Sequence, residues 1–220
     1  MLLKSAKESL DLLLAHPLVI LPGILSACIT SILISYVSLQ IVDLEVFEIV
    51  KKLVDFLPFF FLYFLANTFL TSLIIRMVYE IKTKKFKLKS CLRVVSREYF
   101  NAFFGFLLYA SIACLGFLAL IIPGIILMTK LFFYQCIILI EEKGILQSFK
   151  KSWKLTRVHW YRVLLLLFSY YLIWLLLKEI LYYPFYLFFF LWFFLTLLFI
   201  PFYFTLVTLT FLKVRKSSVP

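Results

Sequence analysis

The sequence predicts an all-α integral membrane protein: six transmembrane helices arranged as three hairpins, each hairpin preceded by a cytoplasmic amphipathic interfacial helix. Three observations lead there. Of 220 residues, 65% are hydrophobic, and the mean hydropathy is +1.06; soluble chains hold roughly 45–50% apolar residues. Apolar runs repeatedly approach the about 20 residues a spanning helix needs. The cations collect at the ends of those runs, as they do where helices leave a bilayer on its cytoplasmic side.

Taken in order, residues 3–15 form the first interfacial helix, with Leu3, Ala6, Leu10, Leu13 and Leu14 on one face and Lys4, Lys7, Glu8 and Asp11 on the other. The first span covers 17–42. Its Leu25-Ser26-Ala27-Cys28 imitates a lipoprotein cleavage box, but Glu8 and Asp11 interrupt the cationic region a signal peptide requires, and the chain stays apolar after Cys28. The second span covers 56–79. Residues 86–98 are expected to be a second interfacial helix, followed by spans 100–122 and 124–140, which Pro123 and Gly124 separate because proline lacks an amide donor and glycine tolerates positive φ. A third interfacial helix, 144–158, sets Ile145, Leu146, Phe149 and Trp153 against Lys150, Lys151, Lys154 and Arg157. Spans 160–177 and 185–212 complete the single domain, 1–220, with Lys178 and Glu179 marking the turn between them.

In this arrangement 19 of the 23 lysines and arginines lie on one side, so the positive-inside rule places both termini in the cytoplasm and the protein in the plasma membrane. The acid-leaning stretch Asp43 to Asp55 then falls outside. A four-span arrangement would leave very apolar segments in water.

SAKESLDLLLAH (Ser5 to His16) and SFKKSWKLTRVH (Ser148 to His159) share Ser, Lys, Ser, Leu and His at the same spacing. Lys89, Cys91, Val94 and Glu98 match the same frame loosely. The three together suggest one interfacial helix plus one hairpin used three times; convergence of any basic helix beside a membrane is the other explanation.

Inside the spans Lys130 stands out, because a charge at mid-bilayer costs about 2.5–3.5 kcal/mol on insertion scales. It either snorkels or pairs, or it meets an anion or lipid headgroup. Asn67, Thr68, Thr71 and Ser72 on span two and Gln135 on span four lie at comparable depth; they bond helix to helix or converge with Lys130 on a polar pocket. Lys150, Lys151, Lys154, Arg157 and Arg162 form an interfacial basic rim. Each cation near an anionic surface is worth about 1 kcal/mol.

Two histidines and four scattered cysteines supply no metal ligand set and no cofactor site. No Ser/His/Asp set or phosphate loop appears, so the chain is expected not to be an enzyme. The bases are spread beside spans, which argues against nucleic acid. Span six, ringed by Phe188, Phe189, Phe190, Trp192, Phe193 and Phe194, is expected to face lipid or a partner subunit.

IIPGIILMTKLFF (Ile121 to Phe133) and the segment from Ile137 to Leu167 resemble the membrane domain attached to some bacterial glycerophosphodiester phosphodiesterases, and the stand-alone prokaryotic membrane proteins related to it. The matching residues are Pro123, Gly124, Lys130, Glu141, Glu142, Gly144, Ser152, Trp153, Leu155, Thr156, Arg157, Arg162 and Val163. The resemblance implies the six-span fold and a link to lipid or envelope homeostasis. No phosphodiesterase domain follows span six, so the hydrolase activity is not expected to carry over.

The function expected from all this is a non-enzymatic, lipid-associated membrane protein that scaffolds or partners in the envelope and contacts membrane lipids, anionic headgroups among them. Two alternatives stay open: a small transporter or channel for an anion or amphiphile, and an enzyme acting on a lipid from the interface.

Overall fold

The computed structural model describes residues 2–41, 55–83, 86–181 and 186–217, and among these every element is helical. The acidic stretch from Asp43 lies almost wholly outside them, as do the side chains of the Phe188 to Phe194 ring. Helix α1 spans Leu2–Ala15, a 3₁₀ turn Pro17–Val19, α2 Ile20–Ile41, α3 Leu57–Thr83, α4 Leu88–Ala119, α5 Ile121–Leu131, α6 Tyr134–Glu141, α7 Ile145–Leu181 and α8 Tyr186–Ser217. Among the described residues four stretches are long and apolar enough to cross a membrane: Leu57–Thr83, Leu88–Ala119, Ile121–Glu141 and Leu197–Ser217. The pair Leu3–Ala15 and Pro17–Thr30, bent by 103°, makes a fifth if it counts as one.

The bend falls at His16 (φ −133°, ψ 74°), just before Pro17, where the residue preceding a proline is steered out of the helical region. The second histidine of the repeat does the same with no proline: His159 (φ −115°, ψ 24°) interrupts α7, one residue beyond the interfacial helix expected over 144–158. The third copy differs. Helix α4 runs unbroken through Glu98, so the expected boundary between 98 and 100 is absent. No proline or glycine intervenes there, and Asn101 Nδ2 donates to Glu98 Oε2 at 2.9 Å, stitching one turn to the next.

The turn between α4 and α5 also moves. It sits at Leu120 (φ −169°, ψ 152°), not at Pro123 and Gly124. Pro123 occupies the first turn of α5, where its missing donor costs nothing. Gly124, with no positive φ, provides closeness: a Cβ there would stand 2.6 Å from Phe117 Cδ1 and 2.9 Å from the Phe117 backbone nitrogen. Gly116 faces it, 2.9 Å from the Gly124 Cα on the same construction. Helix α7 likewise continues to Leu181, past the turn expected at Lys178 and Glu179.

The break between α5 and α6, at Phe132 and Phe133, was not foreseen. The hydroxyls of Ser152 and Thr156 donate to the Lys130 carbonyl (2.9 and 3.0 Å), and the Phe133 amide donates to Ser152 Oγ (3.1 Å). Two side chains of α7 thus enter the ladder of the α5–α6 segment, a recognised cause of helix kinks.

The main core lies at the charged end of the bundle. Ile74, Met77 and Val78 of α3, Ile137 and Leu139 of α6, and Leu209, Phe211 and Val214 of α8 are buried together with Leu12 and Leu13 of α1. Phe133 and Phe211, both fully buried, meet with ring centroids 5.5 Å apart. Gly23 of α2 admits Pro201 of α8, since a Cβ at Gly23 would be 2.6 Å from the proline ring.

Candidate functional site

Three groups of polar side chains are candidates, and they lie at different depths. The first is a string joining α2, α3 and α6. Ser26 Oγ donates to Asn67 Oδ1 (2.6 Å), Asn67 Nδ2 donates to the Tyr63 hydroxyl (3.1 Å), and Thr30 Oγ1 meets that hydroxyl at 3.2 Å. Thr71 donates to the Asn67 carbonyl, and Gln135 Nε2 reaches Ser72 Oγ at 3.2 Å and Thr71 Oγ1 at 3.4 Å. Asn67, Thr71 and Gln135 are therefore brought together, each with hydrogen-bonding capacity used by a neighbour. The structure places Lys130 elsewhere, beside α7, where its carbonyl holds Ser152 and Thr156. It thereby sits at the depth of the basic half of α7.

The second group closes the charged end. Arg76 and Glu80, one turn apart on α3, are 4% and 2% exposed and 3.4 Å apart. Arg76 Nη1 donates to the Leu139 carbonyl at 2.9 Å, which terminates α6, and lies 3.7 Å from Glu142. Arg97 pairs with both Glu142 and Glu98, while Ser90 Oγ donates to Glu80 at 2.8 Å. Glu142 holds a left-handed conformation (φ 54°) that few non-glycine residues adopt, with two arginines on its carboxylate. The Glu141 carboxylate collects Lys151 (2.5 Å), Arg215 (3.3 Å) and Lys143 (3.6 Å). These networks fix α3, α4, α6, α7 and α8 to one another. Sequence reasoning gave Arg76 and Glu80 no role, and it named Glu98 in the repeat frame and Glu142 in the family resemblance without pairing either of them. The available signal was the opposite charge of Arg76 and Glu80 at i and i+4, placed at the end of an apolar run.

The third group is the repeated helix, whose frame acquires a physical meaning at each position. Ser9, Cys91 and Ser152 are equivalent and fully buried, small enough for close helix approach. One position earlier, Glu8, Ser90 and Lys151 each reach a neighbouring helix: Glu8 to Lys213 at 2.8 Å, Ser90 to Glu80, and Lys151 to Glu141. One before that, Lys7, Lys89 and Lys150 are all exposed. One after the small residue, Leu10 (53%), Leu92 (38%) and Trp153 (43%) are exposed large hydrophobics, and so are Leu3 (88%) and Leu146 (76%). Outward-facing apolar residues thus stand beside outward-facing lysines in all three copies. Of the expected basic rim, Lys150, Lys154 and Arg157 are exposed on α7. Lys151 is held by Glu141, and Arg162 donates to the Tyr161 hydroxyl at 2.9 Å.

His159, at the break in α7, faces Ser217 Oγ at 3.1 Å. Partial burial, and after it the charge of Arg162, hold its imidazole below the ordinary histidine range.

The fold and these sites define an all-helical protein with four or five helices able to span a membrane, tied at one end by buried ion pairs and faced there with basic and apolar side chains. Residues 100–214, more than half of the chain, match the family described as Domain of unknown function (DUF7847), and the chain belongs to that family. No curated protein and no solved structure matches it.

Proposed function

We propose that this is a non-enzymatic, multi-pass protein of the cell membrane, with six membrane-inserted segments in three hairpins and both termini in the cytoplasm. Its role in this reading is to associate with membrane lipid through its three amphipathic helices and to scaffold other components of the envelope. The observation that carries the reading is the threefold arrangement of buried small residue, exposed lysine and exposed hydrophobe. A helix in the plane of a bilayer surface, as α1 and the first part of α7 would be, needs apolar residues directed to the acyl boundary and cations among the headgroups; the first part of α4, continuous with its span, brings the same pair of residues to the surface where the span leaves the bilayer. Lys130, level with Lys154 and Arg157, joins the same basic belt. The resemblance to the phosphodiesterase-associated membrane domain points the same way, toward lipid homeostasis without hydrolysis.

A transporter would draw on Lys130 converging with Asn67, Thr71 and Gln135. Those three bond to one another, while Lys130 is joined through its main-chain carbonyl to Ser152 and Thr156 of α7, which favours the lipid-associated reading. The test is lipid selectivity. The protein, purified in mild detergent, is titrated with phosphatidylglycerol and with phosphatidylcholine, and its thermal stability is followed. Stabilisation by the anionic lipid, reduced in the Lys150→Gln, Lys154→Gln, Arg157→Gln triple variant, is expected. Equal responses to the two lipids would sink the proposal.

A further inference from the structure

Helices α4 and α7 touch directly over only a short stretch; between them, with α5 as the third wall, runs an open groove of about 660 Å³. Ala110 and Ala113 form its floor on α4, between Phe106 and Phe117, and Leu164 and Phe168 line it on α7. Its polar side-chain atoms are the Tyr109 hydroxyl, which donates to the Met128 carbonyl at 3.4 Å, the Tyr171 hydroxyl and the Cys114 thiol. Phe106 to Phe117 spans about 16 Å at 1.5 Å per residue, so the mean cross-section of the groove is about 40 Å².

That cross-section and that lining select the occupant. A helix of about 10 Å diameter occupies about 80 Å² and does not fit. An extended peptide fits, but it would leave amide and carbonyl groups unbonded against an apolar wall, at a cost of several kcal/mol for each group. Hydrocarbon chain has neither problem. The charges at the groove's end indicate what the chain is attached to. Leu164 is the lining residue of α7 closest to its basic half; before it come Trp160 and Tyr161, 52% and 46% exposed, and then exposed Arg157 and Lys154. Tryptophan and tyrosine settle at the headgroup level of bilayers, and cations lie just beyond.

We propose that the groove between α4, α5 and α7 seats the acyl chain of an anionic phospholipid, with its phosphate at Arg157 and Lys154 and its glycerol at Trp160 and Tyr161. This rests on the membrane-lipid reading above and adds to it one specific, chain-filled site.

The experiment uses the full-length protein in phosphatidylcholine nanodiscs doped with a phosphatidylglycerol that carries a photoactivatable diazirine on one acyl chain, with adducts mapped by peptide mass spectrometry. Adducts are expected to concentrate in residues 106–117 and 164–171, above the level at the exposed face of Phe59, Phe61 and Leu62. Ala113→Trp, which fills the floor, is expected to reduce them about tenfold, which corresponds to 1.4 kcal/mol of lost affinity. Arg157→Gln with Lys154→Gln is expected to reduce them for the phosphatidylglycerol probe but not for a phosphatidylcholine probe. Circular dichroism melting establishes that each variant is folded, and Ala110→Leu replaces Ala113→Trp if the latter is not. Adducts spread evenly over all exposed apolar faces, or unchanged in the filled variant, overturn the site and leave the general lipid association standing. Crosslinks between two copies through the groove overturn it in favour of self-association. No adducts anywhere overturn both readings.

Discussion

Replacing Gly124 by alanine is the sharpest test of how the α4–α5 hairpin holds together. The new Cβ would stand 2.6 and 2.7 Å from the Phe117 ring and 2.9 Å from the Phe117 backbone nitrogen. A change of the Phe117 side-chain rotamer about Cα–Cβ relieves the first two contacts. The third is with main chain, so the hairpin itself must open. Overpacking of this kind costs about 1–3 kcal/mol; for a chain of this size, about 2 kcal/mol corresponds to a fall in melting temperature of about 4–8 °C. Gly116→Ala meets the flexible end of Leu127 at 2.8 Å and the Gly124 Cα at 2.9 Å, and belongs in the same range. The double variant should fall short of the sum, because a hairpin opened for one methyl accommodates the next. Gly144→Ala is the control. Nothing lies within 4 Å of its Cβ position, so a change within about 0.5 kcal/mol is expected. The assay is thermal unfolding in detergent micelles followed by near-UV circular dichroism. If Gly124→Ala melts with the parent, as the Gly144→Ala control should, close backbone approach is not what joins α4 to α5.

Arg76→Met leaves Glu80 buried without its cation and the Leu139 carbonyl without its donor, and should cost about 3–5 kcal/mol; adding Glu80→Gln should recover part, giving a coupling of about 1–3 kcal/mol in a thermal double-mutant cycle. Ser152→Ala removes both the acceptor of the Phe133 amide and a donor to Lys130, for about 1–3 kcal/mol. Ser9→Ala, at the same repeat position, breaks only a bond to the Ser5 carbonyl one turn back, so it should cost less than about 1 kcal/mol; equal losses in the two variants would refute this division of roles. His159 has a lowered proton affinity in the fold, so the unfolded chain takes up the proton first. Stability should therefore be unaffected by this group at alkaline pH and decline as pH falls through and below about 6.5. His159→Gln should flatten that decline in a melting series, and an unchanged slope would exclude the group.

The helical class, the apolar segments and both histidine-marked breaks were legible, because composition and hydrophobic period depend on the residue types themselves. Pro123 shows where such reading stops. Proline signals a helix boundary, but whether it ends one helix or begins the next depends on partners, here Phe117 and Gly116 across the hairpin. The break at Phe132 has no local signal, since its cause, Ser152 and Thr156, lies some twenty residues downstream. The polar residues of α3 were legible as a group, and Gln135 does join them. Lys130 stood out by its charge, and sequence could not show that α7 would bring Ser152 and Thr156 to its carbonyl. The Arg76, Glu80 and Glu142 network escaped notice because each residue alone looks like an ordinary charge near a helix end.

Helix α4 differs from the other two copies of the repeat in having no break, and this has a mechanical consequence. At 1.5 Å per residue its 32 residues make a rod about 48 Å long. One end carries Arg97 and Glu98 with their carboxylate and asparagine partners; the other carries Ala110, Ala113 and Phe117. In α1 and α7 the histidine break interrupts the rod, so a tilt of the surface half reaches the bundle through side-chain bonds such as Glu8 to Lys213 and Lys151 to Glu141 and not along the helix axis. In α4 there is no joint, and a tilt imposed on the ion pairs is delivered at full lever arm to the wall between α4 and α7. One segment of the three therefore transmits along its own axis, and the other two through their side chains.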